Sequence, residues 1–149
     1  GTCIAERNVE EEHVAVTADD NVMLLLDHGN GVFSHIQAGF VYCHHNEDRT
    51  IELIGDGGMM NLLGWDWAPR GVQVRTRDDD GFQTLCTDAE GYVWECGAAQ
   101  FCEHLATGKP MLMTAEHALH VVDVMESAYR SAETGNRTPT KSSFAWPLV

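Results

Sequence analysis

The side chains with the richest chemistry fall in two short clusters. Tyr42-Cys43-His44-His45 sets a phenol, a thiol and two imidazoles side by side at the end of an apolar run. Neighbours in an extended segment point to opposite faces, so at most two of Cys43, His44 and His45 can meet one ion, and no metal centre is expected there. Tyr42, His44 and His45 read either as hydrogen-bonding groups for a hydroxylated substrate or as an ordinary polar loop. The second cluster, Gly64-Trp65-Asp66-Trp67-Ala68-Pro69-Arg70, reads as a loop with two indoles beside a carboxylate and a guanidinium. Sugars and polyols use such a polar-aromatic lining, while the alternative is a pair of rings capping the core. Trp65 and Trp67 join Tyr42, His44 and His45 as candidate substrate-binding residues.

Other motifs carry less. His117 and His120, three apart after Glu116, match neither the HExxH zinc pattern nor the paired ExxH of di-iron bundles, and read as a solvated helix face. Gly55-Asp56-Gly57-Gly58 is glycine-rich, but a phosphate loop must open a helix and Met59 to Leu63 continues as a strand. No Gly-x-Ser-x-Gly elbow occurs, and no catalytic or metal-binding residue is assigned.

The elements that would position these groups follow from periodicity. From His13 to Thr87 short extended segments alternate with turn residues. Asn21 to Asp27 has apolar residues on both faces, and Asn30-Gly31 turns the chain back into Val32 to Val41, because both turn positions tolerate positive φ. On that second strand Val32, Ile36, Ala38 and Phe40 are read as core-facing; Phe33, His35, Gln37 and Val41 form a mixed opposite face. Gly55 to Gly58 and Asp78-Asp79-Asp80-Gly81 mark two more tight turns, each between a pair of strands. After Thr87 the period becomes helical. One helix carries Val93, Trp94, Phe101, Cys102 and Leu105; a second, capped by Thr114 and Gly135, carries Val121, Val122, Met125 and Tyr129 as its apolar stripe. Strands followed by helices predict an α+β fold: an open, mostly antiparallel mixed sheet of about six strands with helices on one face.

Composition bounds the rest. The 149 residues are expected to form a single domain. An apolar content of 44% argues for a folded soluble chain, and no apolar run is long enough to span a bilayer. A formal charge of -14, from 23 acidic and 9 basic residues, disfavours nucleic acid and anionic membranes as partners. Five cysteines without a CxxC pair give no disulfide framework and suit the cytoplasm.

Order and motifs together resemble the carboxy-terminal domain of the glucose-fructose oxidoreductase, inositol dehydrogenase and rhizopine catabolism (Gfo/Idh/MocA) family. The resemblance rests on Ala18-Asp19-Asp20-Asn21 with Leu24-Leu25-Leu26, on Ile51-Glu52-Leu53-Ile54-Gly55-Asp56-Gly57-Gly58, on Thr107-Gly108-Lys109-Pro110, on Thr114-Ala115-Glu116-His117, and on the helix with Tyr129-Arg130-Ser131-Ala132. It implies a dihydrodipicolinate-reductase-like C-terminal domain for substrate binding and association, working with an amino-terminal Rossmann domain that binds NAD or NADP. These residues hold no strand, GxGxxG turn and helix in succession, so no cofactor is expected on this chain and the chain alone should be inactive. The family's lysine and histidine match no position here. The resemblance therefore implies one half of an NAD(P)-dependent oxidoreductase acting on a sugar or polyol-like alcohol, a homodimer through the open sheet face. The alternative is a stand-alone binding or scaffold module of the same architecture.

Overall fold

A computed structural model describes residues 6–9, 12–15, 17–39, 50–65, 67–87 and 96–145. The chain divides into two compact units, residues 1–43 with 110–149, and residues 44–109.

In the first unit β1 (Glu6–Val9) pairs antiparallel with β2 (Glu12–Ala15), and β3 (Asn21–Gly29) with β4 (Val32–Gly39). The Asn-Gly signal holds: Asn30 at φ 53° and Gly31 at φ 79° give the two positive dihedrals of a type I′ turn, whose twist matches that of the strands. The register Val22↔Ala38, Leu24↔Ile36, Leu26↔Ser34 gathers these residues on one face, where Val22, Leu24 and Leu26 are half-buried. Met23, Leu25 and Phe33 lie on the other and are 69%, 70% and 59% exposed.

Helix α2 (Ala115–Thr134) completes this unit with the caps that its sequence calls for. Thr114 is extended and its hydroxyl accepts from His117 N at 3.3 Å, while Gly135 closes the helix at φ 66° with its N–H bonded to Ser131 O. The face that packs differs from the expected stripe. His117, His120, Val124, Ser127 and Ser131 are half-buried or buried, whereas Val121, Val122, Met125 and Tyr129 are exposed. The reason lies after the helix, where the chain returns along the polar side. Asp123 Oδ2 accepts from Lys141 N at 2.6 Å and from Ser142 N and Oγ at 2.8 Å, and Arg137 reaches Asp27 at 2.6 Å. Hydrogen bonds from the tail thus choose the face.

In the second unit β5 (Ile51–Ile54), β6 (Gly58–Trp65), β7 (Ala68–Thr76) and β8 (Gln83–Cys86) form one antiparallel sheet in chain order. Its register puts Leu53, Met60 and Val74 in one row, and Ile51, Leu62 and Val72 in another, on a single apolar face. Glu52, Asn61, Gln73 and Thr84 form a polar row across the other face, with Asn61 fully buried in it and its amide donating to Glu52 Oε2 at 3.2 Å. Asp79 ties the β7–β8 turn by accepting from Thr76 N and Oγ1 at 2.7 Å, bonds that hold its carboxyl below the usual range. Helix α1 (Cys96–Thr107) ends at Gly108 in the left-handed region, φ 74°.

The α+β architecture with antiparallel strands is as the sequence predicts. Among the described residues the strands number eight and lie in hydrogen-bonded groups of two, two and four; Glu6–Val9 carries little apolar patterning from which its strand could be read. Among the described residues no apolar side chain is fully buried, and no helix is long and apolar enough to cross a membrane.

Candidate functional site

The Trp65–Arg70 segment is a hairpin tip rather than the loop the sequence suggests. Strands β6 and β7 run to Trp65↔Ala68, leaving a two-residue connection that contains Trp67. A register shift between Leu63 and Gly64 bends the hairpin just before its tip. Gly64 sits there at φ 77°, a backbone that L side chains rarely adopt, and its missing Cβ leaves room for Ala68 O and the stem of Arg70. Gly64 O accepts from Thr50 Oγ1 at 2.8 Å, which fastens the bend to the start of β5.

This bend stacks the two indoles. Trp65 and Trp67 lie with ring centroids 4.7 Å apart and planes 10° from parallel. Trp65 is half-buried and Trp67 is 49% exposed, so the pair offers a flat aromatic surface at the tip. Tyr42, His44 and His45 lie outside the described residues, as does Asp66.

Gly55-Asp56-Gly57-Gly58 closes the β5–β6 hairpin, with Gly55 N donating to Gly58 O at 2.9 Å. It opens a strand, so this turn offers none of the converging N–H groups of a helix start that a dinucleotide pyrophosphate would take.

Residues 3–140 match the oxidoreductase family, C-terminal alpha/beta domain, designated Gfo/Idh/MocA. The chain belongs to this family. Neither a curated protein nor a solved structure gives a match.

Two further groups in this Gfo/Idh/MocA domain have structural duties. Lys109, in the Gly108-Lys109-Pro110 motif, places its ammonium 3.0 and 3.1 Å from the Glu103 carboxylate. His117 and His120 do not form the solvated face that their spacing suggests. Their rings lie 4.6 and 5.2 Å from the ring of Phe144, and His120 Nδ1 is 3.0 Å from both Ser142 O and Ser142 Oγ. They anchor the tail, a role that spacing along one helix cannot reveal because the partners lie 22 residues away. Asp123 belongs to the same anchor, and the Ser142 and Lys141 donors pull its carboxyl down to about 2. Among the described residues no group of three or more His, Cys, Asp or Glu could hold a metal ion.

Proposed function

We propose that this domain is the substrate-binding and association half of a cytoplasmic NAD(P)-dependent oxidoreductase acting on a sugar or polyol-like alcohol. The nucleotide and the proton-transferring groups belong to a domain outside these 149 residues. The observation that carries the substrate class is the exposed Trp65–Trp67 stack, within a chain of an oxidoreductase family. Its open ring face holds a carbohydrate by dispersion and C–H contacts and leaves the hydroxyls to polar neighbours, the part for which Tyr42, His44 and His45 are candidates. Five cysteines without a CxxC pair suit a reducing compartment.

Association is proposed through the outer face of β3–β4. There the apolar Met23, Leu25 and Phe33 lie among His35 and Gln37, the mixed character of a protein interface. Two copies meeting there as a homodimer would bury at least the ~1,200 Å² of a specific contact.

Steady-state kinetics in the protein that joins this chain to its nucleotide-binding domain test the reading. Trp67→Ala should lower kcat/KM for the alcohol by about tenfold, some 1.4 kcal/mol of lost transition-state binding. The chain alone should bind neither NADH nor NADPH more tightly than about 10 μM by calorimetry. An unchanged kcat/KM would remove the indoles from the site. A protein with no nucleotide domain and no turnover would point to the scaffold module instead.

A further inference from the structure

Because helix α2 packs along its polar side, its opposite side is left with a regular apolar seam. Ala115, Ala118, Val122, Met125, Tyr129 and Ala132 follow one another at steps of three and four residues in strict alternation along the helix. A mean step of about 3.5 residues is the repeat by which one helix lies along another. All six residues are exposed, and the large ones, Val122, Met125 and Tyr129, by 49%, 51% and 56%. Apolar residues scattered singly on a surface are ordinary, whereas a continuous line of them along a helix marks an interaction site.

The two edges of the seam differ in charge. Glu126 and Glu133 each directly follow a seam residue and lie seven residues apart, so they stand on one edge. Both are exposed, and neither has an ion pair among the described residues. Arg130, the one Lys or Arg of α2, is turned instead to Asp123 at 3.5 Å and to Ser127 Oγ at 3.2 Å. The other edge carries Val121 and Ala128 and is apolar.

These edges choose among occupants. A second copy lying antiparallel would set Glu126 and Glu133 against the same carboxylates. In a parallel pair the glutamates would meet Val121 and Ala128, losing water without gaining a counter-charge. Helices that lie on anionic membranes carry Lys and Arg beside their apolar face, where α2 carries glutamates. A helix with its own apolar 3.5-residue repeat and Lys or Arg along one edge satisfies the whole surface. Its apolar side chains cover the seam while its cations reach the two unpaired carboxylates. The chain's charge of -14 steers the same class of partner toward it.

We infer that the exposed seam of α2 is a docking surface for a basic amphipathic helix of another protein.

The test is fluorescence anisotropy of a labelled synthetic three-heptad peptide, with Leu and Ile at the repeat and Lys on both edges, titrated with the full chain. Saturable micromolar binding is expected. The same peptide with Glu for Lys should bind about tenfold more weakly, and Glu126→Gln with Glu133→Gln should remove that difference. A Lys peptide of identical composition in scrambled order should not bind, and Met125→Lys should abolish binding of the ordered one. No binding of the ordered Lys peptide, or equal binding of its Glu counterpart, would overturn the basic partner. Equal binding of the ordered and scrambled peptides would reduce the contact to net charge and overturn the seam. A chain that unfolds on Met125→Lys would show the seam covered by the chain itself, and a dimer that the same change splits in light scattering would give it to a second copy; either result overturns the proposal.

Discussion

Gly64 is the residue on which the indole stack depends, and Gly64→Ala measures how strongly. Two costs add. A side chain at φ 77° occupies the left-handed region, about 1–2 kcal/mol for an L residue. The new Cβ would also stand 2.6 Å from Ala68 O and 3.0 Å from Arg70 N, both backbone atoms of the facing strand. Neither can rotate away, so the hairpin must part by several tenths of an ångström, an overpacking cost of about 1–3 kcal/mol. The total is about 2–5 kcal/mol, or a drop in Tm of ~5–15 °C for a chain of this size. Gly57→Ala is the control: nothing lies within 4 Å of its Cβ, and the change should stay within about 0.5 kcal/mol. Urea unfolding gives the energy, as a lower midpoint with an unchanged slope. Circular dichroism gives the geometry, since parallel stacked indoles couple excitonically and Trp67→Ala identifies that couplet. Gly64→Ala should weaken the couplet even at temperatures where the chain stays folded. A variant that keeps both the midpoint and the couplet would show that the bend does not position the rings.

Three further outcomes are expected. Thr114→Ala removes the hydroxyl that accepts from His117 N and should cost about 1 kcal/mol, seen as a Tm lowered by ~2–4 °C in calorimetry, with Thr114→Asp restoring it. Asp123 has a folded-state pKa lowered to about 2 from its ordinary 3.8, so its hold on Lys141 and Ser142 is complete above that ordinary value and lost as pH falls towards 2. Hydrogen exchange at those two amides should therefore quicken across that window, and Asp123→Asn should lose the protection at neutral pH; equal protection in both proteins would refute the anchor. Light scattering should report a dimer that strengthens with moderate salt and is broken by His35→Glu with Gln37→Glu, and a monomer at every concentration would refute association through β3–β4.

The parts of this fold that the sequence reveals are those whose cause is local. Asn30-Gly31 specifies a turn by its own dihedrals, and Thr114 and Gly135 bracket α2 by what a hydroxyl and a missing Cβ do at helix ends. The indoles were legible as a pair of neighbouring aromatic groups, but their setting was not. Pro69 and Gly64 look like loop residues, and only the register shift between Leu63 and Gly64 shows that they serve a strand pair bent at its tip. The polar row of Glu52, Asn61, Gln73 and Thr84 was hidden for a similar reason, since it exists only once four strands are aligned.

Helix α2 shows why an apolar stripe is not proof of which face packs within a domain. Its strongest stripe, Val121, Val122, Met125 and Tyr129, remains exposed, while the side holding His120, Asp123 and Ser127 packs. Hydrophobic burial is non-directional and would favour the stripe against any apolar surface at hand. Four hydrogen bonds from Lys141, Ser142 and Arg137 to the carboxylates of Asp123 and Asp27 are directional, and each is of the stronger charge-assisted kind. They bring the tail to the polar side. Truncating the chain after Gly135 separates the two effects. The shortened chain should lose the resonances of a packed His117–His120 face, whereas a helix held by its apolar stripe would keep them.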